Sequence, residues 1–253
     1  MVKTLIASNP KEKRTARKDG SKILNVAENF CDTIQGENFT GVPSTFLRLQ
    51  GCTLNCIWCD TTEVWRYGNP YSTEEILDLW DREGLIEKFI YGQHLILTGG
   101  SPILQQDALI DLIKRYKERF GSIPFIEVEN ECTVMPKIEM FEYVEYWNNS
   151  PKLENSKMDK RLRYKPDILK ALKEQDNSYF KFVISKKEDW DEIQRDFLDT
   201  GLIYKHQIVI MPEGVTRKEL QDKYEFIVDL ACEKGVRMSD RLHITIWEKK
   251  TGV

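Results

Sequence analysis

Residues 48–61 read RLQGCTLNCIWCDT and hold three of the chain's six cysteines, Cys52, Cys56 and Cys59, within eight positions. The run just before them, STFLRLQ at 44–50, has the composition of a strand, so the cysteines fall on the loop at its carboxyl end. The same arrangement recurs outward from this loop. HLILT (94–98) runs into GGSP, PFIEVE (124–129) into NEC, EYVEYWN (142–148) into NSPK and HQIVIM (206–211) into PEG. YFKFVIS (179–185) and LHITIW (242–247) complete the candidate strands.

Amphipathic stretches separate them. Leu109, Leu112, Ile113, Tyr116 and Phe120 share one helical face, and the pairs Ser72/Glu75 and Thr216/Glu219 have the spacing of capping boxes. Strand and helix in alternation imply right-handed crossovers and a mostly parallel sheet, with functional loops gathered at the carboxyl ends of the strands. Six or seven strands are too few for a closed eight-stranded barrel. The expected fold is therefore α/β, a partial, open TIM-like barrel of about six parallel strands with outer helices. GCTLNCIWC, TGGSP, ENEC and SPK would converge on one face of it.

Composition narrows the class of function. The 253 residues are 41% hydrophobic and 31% charged, as in ordinary globular domains, and no apolar run approaches the roughly 20 residues of a spanning helix. The N-terminal MVKTLIASNPKEKRTARKDG lacks the apolar core of a secretory signal, which predicts a cytoplasmic protein with reduced thiols and no membrane partner. A net charge of −4 disfavours a nucleic-acid-coating surface, so a small-molecule substrate and no nucleic acid are expected. Lys11, Lys13, Arg14, Arg17 and Lys18 form one basic cluster. It reads as a flexible basic extension over residues 1–27 ahead of a single domain at 28–253, with a nucleic-acid arm as the alternative.

Three readings of CxxxCxxC compete. Disulfides are disfavoured by the reducing compartment and the crowding of the thiols. Structural zinc wants four ligands, the fourth coming from Cys132 or His94 after folding. A cubane iron–sulfur cluster held by three thiolates leaves one iron without a protein ligand, where the amine and carboxylate of S-adenosylmethionine can chelate. The cysteines alone do not name the reaction.

With Trp58 immediately before the last cysteine, the loop resembles the signature of the radical S-adenosylmethionine superfamily. CDTIQGENFTGVPSTFLRLQGC upstream, and CDT, LTGGSPILQ, NSPK, MPEG and RLHITIWEKKTGV downstream, are together similar to the 7-carboxy-7-deazaguanine synthase family from about residue 28 to the end. The resemblance implies a lyase that contracts 6-carboxy-5,6,7,8-tetrahydropterin to 7-carboxy-7-deazaguanine with loss of ammonia. In the implied reaction a 5′-deoxyadenosyl radical takes a hydrogen from C6 of the pterin and later returns it.

The resemblance also implies roles for individual residues. Cys52, Cys56 and Cys59 hold a 4Fe-4S cluster. Trp58, Gly100, Glu129, Ser150, Pro151 and Lys152 approach S-adenosylmethionine. Ile34, Gln35, Gly36, Arg48, Thr98 and His243 border the substrate, Arg48 because a guanidinium grips a carboxylate bidentately. Glu37 lies beside the same pterin edge, and the Thr61 hydroxyl is a ligand of Mg²⁺, a cation that prefers oxygen. A flavodoxin or ferredoxin as reductant and a homodimer are further expectations.

Three departures stand out. Ser101 occupies the third position of GGSP, where the superfamily commonly carries a glutamate that accepts from the methionyl amine. Glu248 and Thr251 replace a glycine and an arginine near the terminal TGV, a tail whose carboxylate resembles one that reaches the site. The rivals are an activase that installs a glycyl radical on a protein partner and a zinc-stabilised binding module.

Overall fold

The apolar runs form a single sheet in the computed structural model, which describes residues 2–7, 9–248, 250 and 252. Its strands are β1 (Lys3–Ala7), β2 (Ile23–Ile34), β3 (Pro43–Leu49), β4 (Asn69–Ser72), β5 (His94–Gly99), β6 (Phe125–Asn130), β7 (Tyr146–Asn149), β8 (Ser178–Ile184), β9 (Ile208–Pro212) and β10 (Arg237–Met238). From β3 onward the order is β3-β5-β6-β7-β8-β9-β10 with every pairing parallel. β1, β2 and β3 pair antiparallel at one edge, and β4 adds to β2. Among the described residues β10 does not meet the first strands, so the barrel is open, as expected from the strand count.

The helices are α1 (Thr62–Trp65), α2 (Thr73–Arg82), α3 (Leu85–Ile90), α4 (Gln106–Phe120), α5 (Ile138–Tyr143), α6 (Lys160–Arg163), α7 (Pro166–Lys173), α8 (Asp189–Ile193), α9 (Arg217–Lys234) and α10 (Leu242–Trp247). Both capping boxes form. The Ser72 hydroxyl accepts from the Glu75 N–H at 3.2 Å while the Glu75 carboxylate takes the Ser72 N–H at 2.8 Å, and Thr216 and Glu219 repeat this ahead of α9. Leu109, Leu112, Ile113 and Tyr116 of α4 are buried in the core, as their spacing predicts. No helix among the described residues is long and apolar enough to cross a membrane.

Three expectations are corrected. LHITIW is α10 and not a strand, because six residues cannot separate a period of 2 from one of 3.6, and the Arg241 carbonyl accepts from Ile244 and Thr245 to open a helix. Most of EYVEYWN belongs to the end of α5 and a connecting turn, so the strand starts only at Tyr146. The basic N-terminal stretch is tied down. β1 pairs with Glu28–Cys31, Arg14 meets Glu75 at 2.5 Å, and Arg17 reaches Asp19 and Asp78 at 2.8 Å each. The division at residue 28 also cuts through β2, whose polar Glu28 and Asn29 mask its strand pattern. Asn29 is buried because the Trp80 indole N–H donates to it at 2.9 Å and its own amide donates to the Phe46 carbonyl at 2.9 Å.

Candidate active site

The parallel strands end together, and their terminal residues surround a cavity of about 240 Å³. The cluster loop leaves β3 at Leu49, Gly100 follows β5, Glu131 follows β6, Ser150 follows β7, and Asp240 and Arg241 follow β10. The floor comes from elsewhere. The turn after Ile34 folds into the open barrel, where Phe39 packs edge-on against His94, Phe125 and Tyr146, and Glu37 pairs with Lys181 of β8. Gly36 lies so close to Leu242 that an added Cβ would stand 2.9 Å from the leucine Cβ.

Cys52, Cys56 and Cys59 all line the cavity and are free thiols. Burial pushes the Cys52 and Cys56 thiols up. At Cys59 burial is outweighed by hydrogen bonding around the sulfur from Thr62, Trp65 and Thr61, which brings that thiol below its ordinary value. The loop is held to its surroundings by Ile57 N–H to the Ser156 carbonyl (3.1 Å), by the Trp58 indole N–H to Asn155 (3.2 Å) and by Ser101. Ser101 is fully buried. Its N–H donates to the Gly51 carbonyl at 2.9 Å, its hydroxyl donates to Cys52 Sγ at 3.6 Å, and the same oxygen accepts from the Thr53 N–H at 3.0 Å. The serine at this position is thus committed to shaping the loop.

Gly99 and Gly100 permit the loop to lie against β5. Gly99 has φ +140° and a Cβ there would stand 2.3 Å from the Leu49 carbonyl oxygen, while one on Gly100 would stand 2.4 Å from Cys52 Cβ. Gly100→Ala must therefore displace the first cysteine. We expect a folded variant that takes up far less iron than the native chain on anaerobic reconstitution; a full complement would show that the loop tolerates the shift.

Three cysteine thiols on one loop are the donor chemistry of an iron–sulfur cluster. Among the described residues no three His, Cys, Asp or Glu side chains stand close enough to grip one metal ion. Cubane thiolates each bind a different iron and so stand further apart. Neither fourth ligand considered for zinc is at hand. His94 lies at the opposite end of β5 from Gly99, roughly 16 Å along the strand, with Nδ1 2.6 Å from Glu127. Cys132 is fully buried, its thiol donating to the Asn130 carbonyl at 3.7 Å.

Of the remaining candidates, Ile34, Gln35, Gly36, Arg48, Trp58, Thr61, Gly100, Glu129, Ser150, Lys152 and His243 line the same cavity. Thr98 and Pro151 are not among its lining residues. Thr98 is buried and donates to Glu129 Oε2 at 2.5 Å, so it fixes that carboxylate. Gln35 lines the cavity with its side-chain amide already bonded within the protein. Its amide donates to Glu127 at 3.0 Å and accepts from the Gly36 N–H at 2.8 Å, and its backbone groups pair with Val42 and Gly41. Glu127 also takes the Asn148 amide at 3.0 Å, and this fully bonded buried network fixes the floor. The terminal TGV carboxylate lies outside the described residues.

Arg48 keeps its Nε on Glu28 at 3.2 Å, while its terminal nitrogens make no hydrogen bond among the described residues. Lys152 donates to the Ser150 carbonyl and hydroxyl at 2.6 and 2.7 Å and stands 5.7 Å from the Trp58 ring centre. Among the charged lining residues that escaped sequence reasoning, Lys181 interrupts an apolar strand, which is a legible signal; Glu28, Glu131 and Arg241 give none. Burial, together with the positive Arg241, pulls the Lys181 ammonium down to about 7. Arg241 pairs with Asp60, which also meets His243 Nε2 at 3.1 Å. Burial alone would raise the Asp60 carboxyl, yet Arg241 and His243 hold it well below the usual carboxylate range.

An open parallel α/β barrel with three thiolates at its mouth defines a single-cluster iron–sulfur protein, and residues 35–165 match the family model described as a 4Fe-4S single cluster domain. The fold is that of the crystal structure of QueE from Escherichia coli, with TM-score 0.64 and 21% identity over 88% of this chain and 95% of that one. Among curated relatives, the 7-carboxy-7-deazaguanine synthase of Pyrobaculum aerophilum is 30% identical over 232 residues, covering 90% of this chain and 97% of the relative. That of Bacillus subtilis is 29% identical over 255 residues, covering 92% and 100%. The chain belongs to the 7-carboxy-7-deazaguanine synthase family of enzymes, as its motifs imply.

Proposed function

We propose that the protein is a carbon–nitrogen lyase that contracts carboxytetrahydropterin to 7-carboxy-7-deazaguanine and releases ammonia. The observation that carries this reading is one cavity shared by three cluster thiolates and a half-satisfied arginine. Cys52, Cys56 and Cys59 would hold the cluster, and with S-adenosylmethionine it would supply the radical chemistry that starts at C6 of the pterin.

The chain's own residues bind and orient. Glu28 holds Arg48 by Nε and leaves its two terminal nitrogens for a carboxylate, which a guanidinium grips in a fork. Phe30, Phe46, Leu54, Trp65 and Met211 give the cavity an apolar wall that keeps water from a reactive carbon. Lys152 and Trp58, on the cluster side, offer a cation and an aromatic face to S-adenosylmethionine. Glu37 and Lys181 on the floor supply a carboxylate and an ammonium to the polar edge of the pterin.

Mg²⁺ is part of the proposal, with Thr61 as its protein ligand. The Thr61 side chain makes no capping bond to α1, and its hydroxyl lies 3.8 Å from Cys59 Sγ, beside the cluster. Thr61→Ala is expected to keep the cluster and lose the stimulation of turnover by Mg²⁺. A variant that still responds fully to Mg²⁺ would remove Thr61 from the site. A low-potential reductant of flavodoxin or ferredoxin type, a homodimer and a cytoplasmic setting complete the proposal.

The test is conversion. Given carboxytetrahydropterin, S-adenosylmethionine and reductant, the cluster-loaded protein should release the deazaguanine and ammonia in equal amounts. Reductive cleavage of S-adenosylmethionine with neither product would reject this substrate and favour an activase.

A further inference from the structure

We infer that Glu131 supplies the carboxylate that receives the methionyl ammonium of S-adenosylmethionine, an inference that rests on the reading above. Glu131 is the first residue after β6, is 4% exposed and lines the cavity. Its Oε1 accepts from the Thr133 hydroxyl at 2.6 Å and from Thr53 Oγ1 at 3.3 Å. Its Oε2 is shut from water and has no hydrogen-bond partner among the described residues. A carboxylate oxygen in that state is costly unless a donor completes it, and a charged donor completes it best.

Location points to the ammonium as that donor. Thr53 Oγ1 lies 3.3 Å from Ser101 Oγ as well as 3.3 Å from Glu131 Oε1, so positions 101 and 131 abut one hydroxyl. Ser101 has turned its own hydroxyl to Cys52 and the Thr53 N–H, leaving the neighbouring glutamate as the anion beside the first cysteine.

The other cavity carboxylates are engaged or sit elsewhere. Glu28, Glu37 and Asp60 are paired with Arg48, Lys181 and Arg241. Asp240 accepts from the Tyr224 and Thr245 hydroxyls at 2.6 and 2.8 Å. Glu129, which the motifs also bring toward S-adenosylmethionine, holds the Thr98 hydroxyl and stands one strand from the Arg48–Thr98 pair, with no hydrogen bond to Thr53 or Ser101 among the described residues. Glu131 lies two residues further toward the mouth, level with the cluster loop, and Glu248 is exposed.

Equilibrium binding to the cluster-loaded, unreduced protein tests this without turnover. The two ligands are S-adenosylmethionine and its deamino analogue, which keeps the sulfonium and the carboxylate. Glu131→Gln is expected to weaken S-adenosylmethionine roughly 10- to 100-fold, with the analogue binding the native and variant proteins alike. Equal affinity of both proteins for S-adenosylmethionine, or an equal loss for both ligands, overturns the assignment. If the glutamine variant does not take up a cluster, Glu131→Asp keeps the charge while withdrawing the oxygen, and the same selective loss is expected, with the same results overturning it. A native protein that binds no S-adenosylmethionine at all overturns the proposed function as well; native binding with an indifferent variant overturns Glu131 alone.

Discussion

Cys56→Ala is expected to hold no cluster and to show no turnover, while the barrel still folds. Cys56 is only partly buried and sits on a loop outside the hydrophobic core, so removing its sulfur leaves no large cavity. What it removes is one of three thiolates, and neither candidate replacement is free: His94 is bonded to Glu127 on the floor and Cys132 is fully buried. Iron and sulfide analysis beside far-ultraviolet circular dichroism checks both halves of the expectation. A variant that retains a full cluster would mean that the three cysteines are not the ligand set.

The second large effect is on stability. Asp60 follows the last cluster cysteine directly, and its carboxylate is clamped between Arg241 and His243, joining the cluster loop to the segment that enters α10. Arg241 is 7% exposed, and its Nε already has no partner among the described residues. Asp60→Asn leaves that guanidinium enclosed without a counter-charge, and a loss of roughly 3–5 kcal/mol is expected. Denaturant titration of the native and variant chains measures it, and a change below about 1 kcal/mol would show that water or His243 satisfies the arginine.

The same clamp sets a pH dependence. The Asp60 carboxyl titrates lower in the folded chain than in the unfolded one, so its contribution is fully present above the ordinary aspartate value of about 4 and is given up as pH falls below it.

Much of this was written in local sequence. The capping residues Ser72 and Thr216, the apolar face of α4 and the strands bearing the loops are short-range patterns, and the loops converge because parallel strands end on one side. The resemblance carried by CxxxCxxC, TIQGE and CDT supplied the family. What stayed hidden depends on distant partners. β2 contains Glu28 and Asn29, polar residues that become tolerable only once Arg48, Trp80 and Phe46 arrive from elsewhere. That the Gln35 amide is bonded to Glu127, on another strand, is likewise set by the fold and not by the TIQGE motif. Nothing in ENEC marks Glu131; only the fold encloses it beside Ser101 and leaves one oxygen without a partner among the described residues. α10 resembles a strand because its six residues are too few to declare a period.

The question raised by three cysteines where a closed metal site would use four comes down to one iron. Anaerobic reconstitution, metal and sulfide analysis, and electron paramagnetic resonance of the reduced protein with and without S-adenosylmethionine address it together. The expected result is about four irons and four sulfides per chain, with a cluster signal that changes when S-adenosylmethionine is added. One zinc per chain, or a cluster whose signal is indifferent to S-adenosylmethionine, would contradict it.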